Sequence, residues 1–202
     1  MRSYKFILCS LAFALLLGCN SKREESAINQ ISIDSLLDER DTLEVQLQKA
    51  TVFLDQNPRN GVAYSIRARV FNNMERYDER IVDLNKAIDI FKRDGEPVEG
   101  WLCETYYGRG LTYQTIEKDR VAIEDFNRVL AIQPKYASAL MARAFSHLRL
   151  SDLDLALADA NEAIRVTPND GEAYEIRSRI RTALGDTKGA EEDLQQYEHL
   201  SN

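Results

Sequence analysis

The chain has 202 residues, 44% hydrophobic and 29% charged, with 33 acidic against 26 basic side chains and a formal net charge of −7. The composition is that of a globular chain. The acidic balance excludes nucleic acid and anionic headgroups as general partners, because binding them rests on clustered Lys and Arg.

Residues 1–18 read as an export signal. Arg2 and Lys5 form a basic start, Phe6 to Leu17 an apolar stretch, and no second apolar span follows. Its end, Leu16-Leu17-Gly18-Cys19, resembles the lipobox of bacterial lipoproteins. That resemblance implies lipidation at Cys19, so that acyl chains hold the mature chain at a membrane. It also implies a place in the bacterial cell envelope, and Asn20 after the cysteine favours the outer membrane where there is one. Removing Arg2 and Lys5 from the 26 basic side chains leaves 24 against the same 33 acidic ones. With Cys9 in the signal and Cys19 lipidated, no intrachain disulfide is expected, and Cys103 reads as a small packing residue.

Residues 19–33 follow as a flexible lipidated tether, and 34–60 as an N-terminal helix or half-repeat. In that helix Leu36, Leu43, Leu47, Ala50 and Leu54 form one apolar stripe, Ser35 with Asp38 is a loose capping-box start, and Asn57-Pro58 is the stop.

From residue 61 the chain repeats itself. Arg67, Arg109, Arg143 and Arg177 stand at one place in four successive units, and Asp83, Asp125, Asp159 and Asp193 stand sixteen residues after them. The units are 61–94, 103–136, 137–170 and 171–202, with an insertion at 95–102 that holds the only tryptophan, Trp101. A period of this length marks a helical solenoid. Each unit carries two apolar runs at helical spacing around a polar turn, which predicts a pair of antiparallel helices. Small residues are expected at the crossings, Ala144 against Ala156 and Gly110 against Ala122. Sixteen residues apart across a hairpin, each Arg faces its Asp, and a guanidinium can grip a carboxylate through two parallel hydrogen bonds. Four structural ion pairs are expected.

The pattern resembles the tetratricopeptide repeat over residues 61–202. Tyr64, Tyr106, Leu140 and Tyr174 keep its large fourth place, Ala68, Gly110, Ala144 and Ser178 its small eighth place, and Pro134 and Pro168 its terminal proline. The fold class this implies is all-α, a right-handed α-solenoid of four hairpin repeats behind an N-terminal capping helix. Arg80 occupies the small twentieth place of the first unit and Lys92 replaces its proline, so a more open first hairpin is expected. In the last unit Glu191 and Glu198 take places that are apolar in the others, the polar end face a repeat array needs, and the chain reads as complete and capped at Asn202.

The face of each first helix not needed for packing lines the concave side. Its middle reads as an apolar patch of Tyr107, Leu111, Met141, Phe145 and Leu148, flanked by Arg69, Asn72, Asn73, Arg149 and Arg179. Trp101 has two readings, local packing and an exposed anchor beside the groove. The carboxylate clamp of chaperone-binding relatives needs lysine, asparagine and arginine at groove places where Ser65, Ser138 and Ala142 stand here. Recognition of an acidic chain terminus in that way is therefore not expected.

No nucleophile elbow, phosphate-cradling glycine loop or zinc-ligand spacing is present, and His147 reads as core. No enzyme, cofactor or metal is expected. The reading is an envelope-anchored adaptor that binds another envelope protein in its groove, with a structural homo-oligomer and a small-ligand or glycan receptor as alternatives.

Overall fold

The computed structural model describes residues 40–95 and 100–201. The signal, Cys19, the tether and residues 96–99 of the insertion lie outside the described residues. Among those described, secondary structure is entirely helical: α1 (Leu43–Gln56), α2 (Gly61–Asn73), α3 (Tyr77–Asp94), α4 (Trp101–Thr115), α5 (Asp119–Ile132), α6 (Ala137–Arg149), α7 (Leu153–Val166), α8 (Gly171–Leu184) and α9 (Thr187–Leu200). Consecutive helices pack against each other along the whole array. The first helices of the last three hairpins, α4, α6 and α8, also touch side by side. This is an all-α solenoid.

The N-terminal helix differs from the sequence reading. It starts at Leu43 behind Thr42, whose extended backbone and hydroxyl, accepting from the Val45 amide at 3.4 Å, form an N-cap. Residues 40–42 are not helical, so among the described residues the stripe begins at Leu43, and Leu36 lies outside them. Its buried residues are Ala50 and Leu54, and Leu54 packs with Val62, Ala63 and Ile66 of α2 and Phe91 of α3.

The turn inside each hairpin repeats one backbone device. Arg76, Lys118, Asp152 and Asp186 donate their amides to the carbonyls of Phe71, Tyr113, His147 and Arg181 at 2.8–2.9 Å. Glu75, Glu117, Ser151 and Gly185 supply the left-handed residue that this Schellman closure needs, with φ between 57° and 82°. Only the fourth unit spends a glycine there, so three turns hold a Cβ in a conformation that disfavours it.

Helices cross closely where small residues allow it. Ala144 and Ala156 are fully buried together with Ile180. In the second hairpin the space beside Gly110 is taken by the ring of Phe126, so close that an added Cβ would lie 2.6 Å from Cε1. Gly61 meets Phe91 in the same way. The insertion is partly absorbed by regular structure. The second helix of the first unit, α3, runs on to Asp94, where Gly95 at φ 82° follows it, and α4 opens two residues early, at Trp101.

Candidate functional site: the first-helix face and the pocket between α2 and α4

Each repeated arginine donates from Nε and Nη2 to both oxygens of its aspartate. The distances are 2.7 and 2.7 Å for Arg67–Asp83, 2.8 and 2.6 Å for Arg109–Asp125, 2.8 and 2.6 Å for Arg143–Asp159, and 2.9 and 2.6 Å for Arg177–Asp193. The carboxylates are almost fully buried. The third nitrogen does a job that sequence reasoning missed. Nη1 of Arg109, Arg143 and Arg177 donates to Asn85, Asn127 and Asn161 on the second helix of the preceding hairpin, at 2.5, 2.5 and 2.9 Å. Each arginine thus closes its own hairpin and ties it to the one before. The signal was available, since every such asparagine stands two residues after an Asp of the series. At the array's start Thr51 of α1 takes the asparagine's part for Arg67, at 3.4 Å, so α1 meets the first hairpin's arginine as the second helices meet the later ones.

The apolar patch expected on the concave face is largely consumed by packing. Met141 is 7% exposed and sits with Leu140, Ala163 and Ala173. Tyr107 stacks between Phe126 and Tyr136, centroids 6.1 and 5.2 Å away, and Leu111 joins it against Ala122, Phe126 and Ala142. Leu148 packs against Ala144, Ala156 and Ile180. Phe145 stays half-buried beneath the Arg149 guanidinium. The reason is that α6 is flanked by α4 and α8, so the side chains at these places fill the seams between first helices instead of facing solvent.

Arg149 is likewise a structural link. Its Nη1 donates to the Gln114 carbonyl at 3.0 Å and its Nε lies 3.1 Å from buried Asp119, clamping the turn of the second hairpin from the third. Arg179 pairs with Glu175 on its own helix. His147 is largely buried, with Nδ1 3.5 Å from Asp152. Among the described residues no cluster of His, Cys, Asp or Glu could hold a metal ion, and no helix is long and apolar enough to cross a membrane.

This face also holds a pocket of about 230 Å³ between α2 and α4. Ser65, Arg69 and Asn72 come from α2, Trp101, Glu104 and Gly108 from α4, and Arg80 with Leu84 from α3 beneath. Gly108 keeps the space clear, since the nearest atom to a Cβ added there is Arg80 Nη2 at 3.5 Å. Trp101 both packs on Phe91, centroids 6.5 Å apart, and rims the pocket. Arg80 stands at the place held by Ala122, Ala156 and Ala190 in the other hairpins. It does not open its hairpin as expected, because α2 and α3 pack as closely as the other pairs; the side chain turns out toward α4. Its Nη1 donates to Asn72 Oδ1, while its buried Nε has no partner. Burial pushes its guanidinium below the ordinary arginine value.

Residues 104–136, which span most of α4 and all of α5, match the family described as Tetratricopeptide repeat. Over 68 residues the chain is 41% identical to Tetratricopeptide repeat protein 36 of Danio rerio, a stretch that covers 34% of this chain and about a third, 36%, of that protein. Its fold is similar to the solved structure of MamA, residues 41 to the end, from Desulfovibrio magneticus RS-1, with a TM-score of 0.73 at 13% identity over 90% of this chain and 96% of that one. It is also similar to YrrB, described as a TPR protein with an unusual peptide-binding site, with a TM-score of 0.65 at 18% identity over 78% and 77% of the two chains. At these identities the likeness to the solved structures is one of fold. Residues 104–136 are thus matched as a tetratricopeptide repeat, and the same Arg–Asp frame recurs in all four hairpins of a fold shared with solved tetratricopeptide-repeat structures.

Proposed function

We propose that this chain is a lipid-anchored scaffold of a bacterial envelope, holding a segment of another envelope protein along its first-helix face. The observation that carries the reading is the pocket between α2 and α4, because it is where the array's inner face keeps polar and charged side chains that packing does not use. YrrB, of similar fold, is described as having a peptide-binding site, which supports a protein segment as the occupant. The pocket is smaller than the roughly 300–1,000 Å³ typical of small-molecule sites, which counts against a glycan or metabolite receptor. The export signal and the Cys19 lipobox support the anchoring.

Site-specific photo-crosslinking in living cells tests the reading. A crosslinker at exposed Asn73 or Glu104 should capture one envelope protein that a crosslinker at exposed Glu124 on α5 does not. Equal capture from both faces would overturn it. The mass of the mature N-terminus tests the anchor: acylated Cys19 is expected, and an unmodified terminus refutes it.

A further inference from the structure

Most arginines of this array are set against carboxylates. Four clasp the repeated aspartates, Arg149 and Arg181 reach Asp119 and Asp193, Arg165 and Arg179 pair with glutamates on their own helices, and Arg76 pairs with Glu79 from the N-cap of α3. The pocket between α2 and α4 departs from that habit. Arg80 and Arg69 both line it, and neither forms an ion pair among the described residues. Arg80 is the more telling, because it is largely buried and its Nε lacks any partner. The fold does not require an arginine there, since three other hairpins close with alanine at the same place. A buried cation without a counter-charge is unfavourable, and its presence in a cleft marks a site where a ligand supplies the missing charge.

We propose that this pocket binds a glutamate side chain of an extended partner segment, its carboxylate received by Arg80 below and Arg69 at the rim. The inference rests on the peptide-binding reading above and names the chemistry by which that segment is recognised. The walls between rim and floor are mainly apolar, from Ile66, Ala68 and Leu84, and suit the methylene stem of glutamate. A volume of about 230 Å³ admits one side chain. The one acidic residue of the lining, Glu104, is engaged elsewhere, accepting the Tyr136 hydroxyl at 2.8 Å. This differs from a clamp on a chain terminus, because the cation rises from a second helix, under Gly108, and waits at the bottom of a pocket that a main-chain carboxylate would have no stem to reach.

Trp101, the only tryptophan, sits on the rim and reports occupancy by its fluorescence. The full chain is titrated with three pools of capped heptapeptides: glutamate at the centre with neutral residues elsewhere, glutamine at the centre, and a neutral centre with a free C-terminal carboxylate. The glutamate pool should bind roughly 10- to 100-fold more tightly than the glutamine pool, as charge-assisted hydrogen bonds give. Arg80→Met should abolish that difference, and Arg69→Gln should reduce it. Arg80→Met should keep the helical circular dichroism and melting temperature of the parent, since alanine serves at the same place elsewhere. If Arg80→Met fails to fold, Gly108→Leu, which fills the pocket from α4, must remove the glutamate preference instead. Equal binding of the glutamate and glutamine pools would overturn the carboxylate assignment and leave the groove reading standing. Preference for the free-terminus pool would overturn the side-chain assignment. Absence of binding by every pool would overturn the inference, and the groove reading would then stand or fall on the crosslinking from Asn73 and Glu104.

Discussion

Replacing Asp125 by alanine strips the second hairpin of its clasp while leaving the cation in place. The Asp125 side chain is 3% exposed and that of Arg109 is 18% exposed. The substitution orphans two guanidinium N–H groups that had donated at 2.8 and 2.6 Å. Removing one partner of a buried pair costs about 3–5 kcal/mol, because the other charge stays behind uncompensated. Arg109 keeps its bond to Asn85 and some contact with water, so the low end, about 3 kcal/mol, is expected. That is a large part of the roughly 5–15 kcal/mol that holds a typical domain together. The double replacement Arg109→Met with Asp125→Leu removes both charges and should return to within about 1 kcal/mol of the parent. Urea unfolding followed by helical circular dichroism measures all the variants, with Arg109→Met alone completing the cycle. A loss below about 1 kcal/mol for Asp125→Ala, or a double variant as costly as the two singles summed, would refute the account of the clasp as a desolvated, mutually dependent pair.

Two glycines on one helix should respond in opposite directions. Gly110→Ala should cost about 1–3 kcal/mol, because its Cβ collides with Phe126, whereas Gly108→Ala, open toward the pocket, should stabilise by about 0.5–1 kcal/mol through helix propensity; thermal melts of both variants decide it. Ser151→Gly should raise stability by about 0.5–1 kcal/mol by relieving a left-handed Cβ, and Gly185→Ser should lose a similar amount at the equivalent turn. Equal melting temperatures for the parent and both turn variants would refute the strain argument. Burial first, then the hydrogen bond to Glu104, raises the Tyr136 phenol above its ordinary 10.0, and burial raises Tyr107 as well. The fold therefore favours the neutral phenols: their contribution is fully present below about pH 10 and is lost as the pH climbs through the folded values. Melting temperature should fall with alkaline pH, less steeply for Tyr136→Phe, and an unchanged slope in that variant would count against the assignment.

The repeat period, the helical hairpins and the facing of Arg67 with Asp83 were legible in the chain because they depend on spacing within one hairpin, where helix geometry sets which residues meet. The asparagine rungs at Asn85, Asn127 and Asn161 were written there too, but only the angle between neighbouring hairpins brings them to the arginines. That angle also decided the fate of the concave face. Met141, Tyr107 and Leu148 have the period of an exposed stripe, yet the flanking first helices close over them, and periodicity cannot report what a neighbouring element covers. Arg80 shows the converse. From the pattern it was a large residue in a small place that ought to splay its hairpin, whereas in three dimensions it turns toward Gly108, on the next unit, and floors a pocket. Sequence alone determined what repeats in this protein; the stacking of unlike neighbours determined which side chains remain free to meet a partner, because exposure is a property of the assembled surface and not of any one helix.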